Sequence, residues 1–203
     1  MAENQFICEK MINHFDEILT GFGFVSSLSR QQFVNHAQVL EFPKNQEIFA
    51  EGKKNTFEYL LLSGISHRYT FTDSGEMVTT GLYVAPAVIT PHFARTSQGK
   101  SMFSLQSLTE VVLAAIPVAE LDRLRSSLSE FRDFGQRVIE QELVQSIQQE
   151  VTFRSFSAKE RLLALRRRYP LLENLIPHHI IASYLGITHV SFSRLRKELA
   201  LEE

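Results

Sequence analysis

The tightest constraint on the fold is a corner near the C-terminus. Over residues 176–199 two short stretches of helical periodicity, 178–185 and 189–199, are separated only by Gly186-Ile187-Thr188. Each special position there has a mechanical reason. Pro177 suits entry into a first helix, where a missing N–H costs nothing. Ala182 is small where a second helix must cross close by. Gly186 stands where the chain leaves the first helix and a left-handed backbone is wanted. Thr188 can cap the second helix with its hydroxyl. Ile181, Leu185, Ile187, Phe192 and Leu195 then fall on the inner side of the corner. The pattern predicts two helices at an angle, joined by a tight turn.

The outer side of the second helix carries His189, Ser191, Ser193, Arg194, Arg196 and Lys197. One apolar face and one polar, cationic face are what a helix lying in the major groove of double-stranded DNA requires. Arg194 is the first candidate for base reading, because a guanidinium can donate two hydrogen bonds to guanine O6 and N7. His189, Val190 and Ser191 join it as candidates near the helix start. Thr188, Ser193, Arg196 and Lys197 are candidates for phosphate contacts, which position a protein without reading sequence. A helical corner that only packs or dimerises is the alternative, and the three outer cations argue against it.

Charge is distributed unevenly. From Phe153 onward nine Lys/Arg stand against five Asp/Glu, a net +4, whereas residues 1–152 carry a net −6 within the overall −2. A basic C-terminal module attached to an acidic remainder fits a nucleic-acid partner. Cys8 is the single cysteine, which excludes an internal disulfide framework, a multi-cysteine zinc site and an iron–sulfur cluster held within one chain. No run approaches the roughly 18 apolar residues of a membrane span, and the N-terminus lacks a secretory apolar core. A cytoplasmic protein with no membrane partner is expected.

Four zones precede and include the corner. Helical spacing occupies 4–38, with Phe6, Ile7, Met11, Ile12, Phe15, Ile18 and Leu19 on one face and a second short helix starting at Ser29. Short β-rich runs follow at 39–42, 47–50, 57–63, 65–72, 77–84, 102–108 and 111–116, punctuated by Gly52, Gly64, Gly75 and Gly99. Asp73-Ser74-Gly75 is the best hairpin turn. This texture predicts an all-β roll. Pro117 then opens a short helix, and a long one runs from 129 to 154, roughly 40 Å at 1.5 Å per residue. Its apolar stripe (Phe131, Phe134, Val138, Ile139, Leu143, Ile147, Val151) reads as a seam shared between the roll and a second copy of the chain. Ser157-Ala-Lys-Glu160 fits a capping box and opens the last zone. The expected fold class is α+β, with a roll unit over 1–128, a dimerisation helix over 129–154 and a helical unit over 155–203.

This order, strongest in Ile180-Ile-Ala-Ser-Tyr-Leu-Gly-Ile-Thr188 and Ser193-Arg-Leu-Arg-Lys197, resembles the Crp/Fnr superfamily of bacterial transcription regulators. Phe49-x-x-Gly52 and Tyr59-Leu-Leu-Leu-Ser-Gly64 are similar to the glycine-marked corners of its roll. The resemblance covers about residues 15–200. It implies a cyclic-nucleotide-binding-like jelly roll, a homodimer, recognition helices in successive major grooves of a near-palindromic site, and RNA polymerase as a further partner. Three departures stand out. Met77 to Thr109 contains no Asp or Glu, Ala85-Pro-Ala-Val88 replaces the family's Gly-Glu, and Ser101-Met102 replaces its phosphate-binding Arg pair, which Arg95-Thr96 mimics too early, with Lys100 the nearer cation. Cyclic AMP binding in the family's way is therefore not expected, no cofactor is assigned, and the effector stays open. Val190 stands where many relatives carry an acid, so the operator should differ there. The sequence stops at Glu203 and the 169–177 segment is Pro-rich, which leaves no room for a β-wing. A metal-barrel enzyme, or haem sensing, would have to use His67 or His92, and no His-x-His with a following Glu appears; no enzyme is expected. A ligand-sensing or protein-interaction module that does not bind DNA remains the alternative.

Overall fold

The computed structural model describes residues 13–23, 26–89 and 98–201. Cys8, the start of the N-terminal helix, His92 and Arg95-Thr96 lie outside the described residues. Helix α1 occupies 13–21, and α2 spans Ser27–His36. Ser26, not Ser29, caps α2: its hydroxyl accepts from the Ser29 N–H, while Ser29 itself is buried in the first turn.

Among the described residues eight strands follow: β1 Gln38–Phe42, β2 Glu47–Phe49, β3 Phe57–Ser63, β4 Ile65–Phe71, β5 Met77–Val84, β6 Ala87–Ile89, β7 Ser104–Ser107 and β8 Val111–Pro117. They form two four-stranded antiparallel sheets, ordered β1-β8-β3-β6 and β2-β7-β4-β5. The short β6 was not evident in the sequence. The stretch expected as a strand at 102–108 is trimmed to β7, because Met102 and Phe103 bend away from the ladder.

Burial explains why β3 and β8 lack a clean alternation. Tyr59, Leu61, Leu113 and Ala115 point between the sheets onto Leu105 and Ile89. The opposite residues, Leu60, Leu62, Ala114 and Ile116, face a helical layer of Ile18, Leu19, Phe33, Leu121, Leu124, Phe131, Phe134 and Val138. A strand covered on both faces reads as one continuous apolar run. At the β3–β4 corner, Gly64 (φ +90°) leaves no space for a side chain, since a Cβ would overlap the Glu110 carbonyl.

Pro117 ends β8 and serves as N-cap of α3 (Val118–Ser127), followed by α4 (Ser129–Ser155). The α4 stripe divides. Phe131, Phe134 and Val138 are buried against α2, α3 and the roll of the same chain, so they are removed from the expected dimer seam. Ile139, Leu143, Val144, Ile147 and Val151 stay exposed at 46–58%. No helix among the described residues is long and apolar enough to cross a membrane.

The C-terminal helices are α5 (Ala158–Arg168), α6 (Leu172–Leu175), α7 (His178–Tyr184) and α8 (His189–Leu199). The capping box is present: Ser157 accepts from the Glu160 N–H, and the Glu160 carboxylate accepts from the Ser157 N–H at 2.7 Å. Leu162, Leu165, Leu172, Ile176, Ile181 and Phe192 share one core with Ile65, Leu82 and Leu108 of the roll.

Candidate nucleic-acid interface

The corner between α7 and α8 is set by backbone hydrogen bonds. The Gly186 N–H donates to the Ser183 carbonyl (3.0 Å) and the Ile187 N–H to the Ala182 carbonyl (3.0 Å), which is the Schellman closure of a helix end. Gly186 takes φ +65°, and a Cβ there would sit 2.9 Å from Phe153 Cε1 of α4. Two conditions therefore demand glycine, the left-handed backbone and the approach of the long helix. Thr188 then caps α8, accepting from the Ser191 N–H at 3.1 Å.

Ile181, Ala182, Leu185 and Phe192 are buried, and Ile187 and Leu195 are half-buried against them. Leu199 completes this anchoring face. On the other side His189, Val190, Ser193, Arg194 and Lys197 are exposed, Val190 at 66%. Arg194 and Lys197 have no hydrogen-bond or charge partner among the described residues. Helix α8 thus offers imidazole, hydroxyl, guanidinium and ammonium groups from one rigid face.

Three candidates are engaged within the chain. Thr188 and Ser191 hydroxyls lie 2.9 Å apart at the helix cap. Arg196 is turned away from Arg194: its Nε donates to Glu173 Oε2 at 2.7 Å, and its guanidinium carbon lies 5.9 Å from the Phe192 ring centre. The sequence held a signal for this. Positions 192 and 196 are one turn apart and share a face, whereas 194 and 196 are separated by about 200°. Glu173 carried no such signal, since it stands in the Pro-rich 169–177 segment, where the four-residue α6 is too short to show a helical period.

The corner is mounted on the rest of the chain. Arg161 of α5 donates from Nε to the Leu185 carbonyl (3.0 Å) and from Nη1 to the Phe156 carbonyl (2.8 Å), with its guanidinium over the Phe153 ring. A β-bulge places Thr80 outside the β4–β5 register. The neighbouring Thr79 N–H donates to Ser183 Oγ of α7 (2.9 Å), and the Thr80 carbonyl accepts from Arg68 (3.1 Å) and from Gln149 of α4 (3.3 Å). A cleft of about 260 Å3 lies at this junction, with Arg68, Tyr83, Glu142, Arg161, Arg168 and Tyr184 among its walls. Burial pushes the Tyr83 phenol up to about 12, with the Arg68 charge opposing. Burial also raises Glu142, again opposed by Arg68. In this cleft burial disfavours the Glu142 carboxylate, and the Arg68 charge partly offsets that penalty.

In the roll, Ser101 is buried and Lys100 exposed at the site of the expected substitution, while Met102 is 58% exposed. His67 is wholly buried; its Nε2–H donates to Gln106 Oε1 and its Nδ1 accepts from the Thr79 hydroxyl, each at 3.1 Å. Among the described residues no group of three His, Cys, Asp or Glu is placed to hold a metal ion.

No family model matches the sequence, and no curated protein matches it. Solved structures do. FixK2 from Bradyrhizobium japonicum superposes with a TM-score of 0.71 at 17% identity, over 82% of this chain and 85% of that one. A regulator assigned to the Crp/Fnr family from Eubacterium rectale gives 0.69 at 14% identity, over 88% and 85%. The c-di-GMP-responsive global regulator CLP from Xanthomonas campestris gives 0.68 at 14% identity, over 87% and 93%. Likeness at these identities establishes architecture, and the chain has the fold of the Crp/Fnr transcription regulators.

Proposed function

We propose that this protein is a sequence-specific DNA-binding transcription regulator of the Crp/Fnr type, a binding protein and not an enzyme, acting in the cytoplasm. The observation that carries the reading is α8: Phe192 and Leu199 bury one side while His189, Val190, Ser193, Arg194 and Lys197 stand free on the other. In this reading Arg194 takes a guanine edge, Val190 meets a thymine methyl, and His189 and Ser191 contribute near the helix start. Ser193, Lys197 and the capped Thr188 meet phosphates.

The regulator acts as a homodimer on a near-palindromic site. Support comes from Leu143, Ile147 and Val151, an exposed apolar seam that needs a partner, flanked by Ile139 and Val144. The units are the roll with its helices through 128, the long helix over 129–154, and the DNA-binding unit over 155–203. RNA polymerase is the further partner that the family resemblance of the sequence implies. The replacements at Ala85–Val88 and Ser101-Met102 leave a cyclic phosphate and ribose without their usual partners, so the effector is not cyclic AMP bound in the family's manner.

Selection from random duplexes tests the reading. A two-fold symmetric motif should be enriched, and Arg194→Ala should weaken binding to it by roughly 1–3 kcal/mol. Failure to enrich any motif overturns the proposal and favours a protein-interaction module.

A further inference from the structure

Two arginines of the C-terminal unit converge on one carboxylate. Arg166 of α5 donates from Nε to Glu173 Oε1 at 2.6 Å and from Nη2 to Oε2 at 3.3 Å, and Arg196 of α8 donates to Oε2 at 2.7 Å. The Glu173 side chain is only 12% exposed, against 29% and 36% for its partners. His178 closes the arrangement. Its Nε2–H donates to the Glu173 carbonyl at 3.1 Å, its Nδ1 faces Arg196 Nη1 at 3.4 Å, and its ring packs edge-on to Phe192 at 5.4 Å. The segment that delivers Glu173 is anchored by Leu172 and Ile176, both buried, and turns at Leu171, a non-glycine residue at φ +67°. A strained turn and a four-residue helix place one carboxylate between two cations.

We propose that Glu173 is a positioning residue of the DNA-reading helix: it clamps Arg196 to α5 and α6, so that Arg196 braces α8 and is withheld from the phosphate backbone. This rests on the regulator reading above. Arg194 and Lys197 lie about 60° apart on the helix and form its outward cationic edge, while Arg196 faces Phe192 and the clamp. Of the three cations at the end of α8, two are then available to DNA. Burial alone would raise the Glu173 carboxyl, but the hydrogen bonds and charges of Arg166 and Arg196 outweigh it and hold the carboxyl below its ordinary value. The clamp is ionised at every pH at which DNA binding would be measured.

The salt dependence of binding separates a brace from a phosphate contact, because each neutralised phosphate adds about one to the slope of log K against log salt. The full-length protein and its selected operator are used, with a random duplex as reference. Lys197→Ala should lower the slope by about one, while Arg196→Gln should leave it where it is in the wild type. Glu173→Gln should raise the slope by about one, as the released Arg196 reaches a phosphate, and should lower the ratio of operator to random affinity. Glu173→Gln with Arg196→Gln should return the slope to the wild-type value. If Arg196→Gln lowers the slope as Lys197→Ala does, Arg196 is a phosphate contact and the proposal falls. An unchanged slope in a folded Glu173→Gln variant overturns it equally. Should that variant fail to fold, the Arg196→Gln slope decides alone. Absence of any DNA binding by the wild type at low salt is a different result, and it sinks the regulator reading itself.

Discussion

Gly186→Ala perturbs the corner at its two constraints together. A non-glycine residue held in the left-handed region costs about 1–2 kcal/mol. The new methyl would also stand 2.9 Å from Phe153 Cε1, where ordinary contacts fall at 3.4–4 Å. Phe153 is 40% exposed and its ring lies under Arg161, so it can yield only by disturbing that contact, at about 1 kcal/mol. The expected loss is about 2–3 kcal/mol, or roughly 4–12 °C in melting temperature for a chain of this size. Thermal and urea melts of wild type, Gly186→Ala, Phe153→Ala and the double variant form a cycle. Phe153→Ala should recover about 1 kcal/mol in the alanine background and leave the backbone part of the loss. A Gly186→Ala protein as stable as wild type would refute the left-handed requirement. A cycle with no coupling would refute the contact with α4.

Two further outcomes follow from the same structure. Ile147→Asp, at a position 53% exposed in the protomer, should leave folding nearly intact. It should nevertheless raise the dimer dissociation constant by roughly 10²–10⁴, since about 1.5–3 kcal/mol of burial is lost from each of two symmetry-related sites; an unchanged dimer by sedimentation would exclude this seam. His67 has its pKa lowered from 6.5, first by burial and then by the His179 charge, with the Gln106 hydrogen bond opposing. A depressed folded value means that the unfolded chain takes up the proton first on acidification. The stability from a neutral His67 is complete above 6.5 and disappears as pH falls through the lower folded value. Melts from pH 8 to 5 should show that decline, and His67→Gln should flatten it. Equal pH dependence in the two proteins would place the effect elsewhere.

Much of the architecture was legible because it depends on local rules. Strands β3 and β5 were bounded to the residue, since Gly64 and Asp73-Ser74-Gly75 are steric and turn signals that act over a few residues. The Ser157–Glu160 capping box and the α7–α8 corner are likewise local hydrogen-bond chemistry. The long helix shows where such reasoning runs out. Periodicity supplies one apolar stripe, but it does not say what covers each part. Phe131, Phe134 and Val138 go to the protomer core because α2 and α3 fold back on them, while Leu143, Ile147 and Val151 project past those helices. The half of the stripe that the protomer leaves exposed is what the proposed dimer contact rests on.

The C-terminal corner divides the same way. The sequence by itself determined that two helices meet at Gly186, that Phe192 and Leu195 face inward, and that Arg194 and Lys197 share an outer edge; helix pitch and cap chemistry suffice for all of this. Tertiary structure alone decided that Arg196 belongs to Glu173, that Gly186 must also clear Phe153, and that the Thr79–Thr80 bulge ties the roll to α7 and α4. Each of these joins elements distant along the chain. Their meeting is set by how buried surfaces pack together, a quantity that no local pattern of residues encodes.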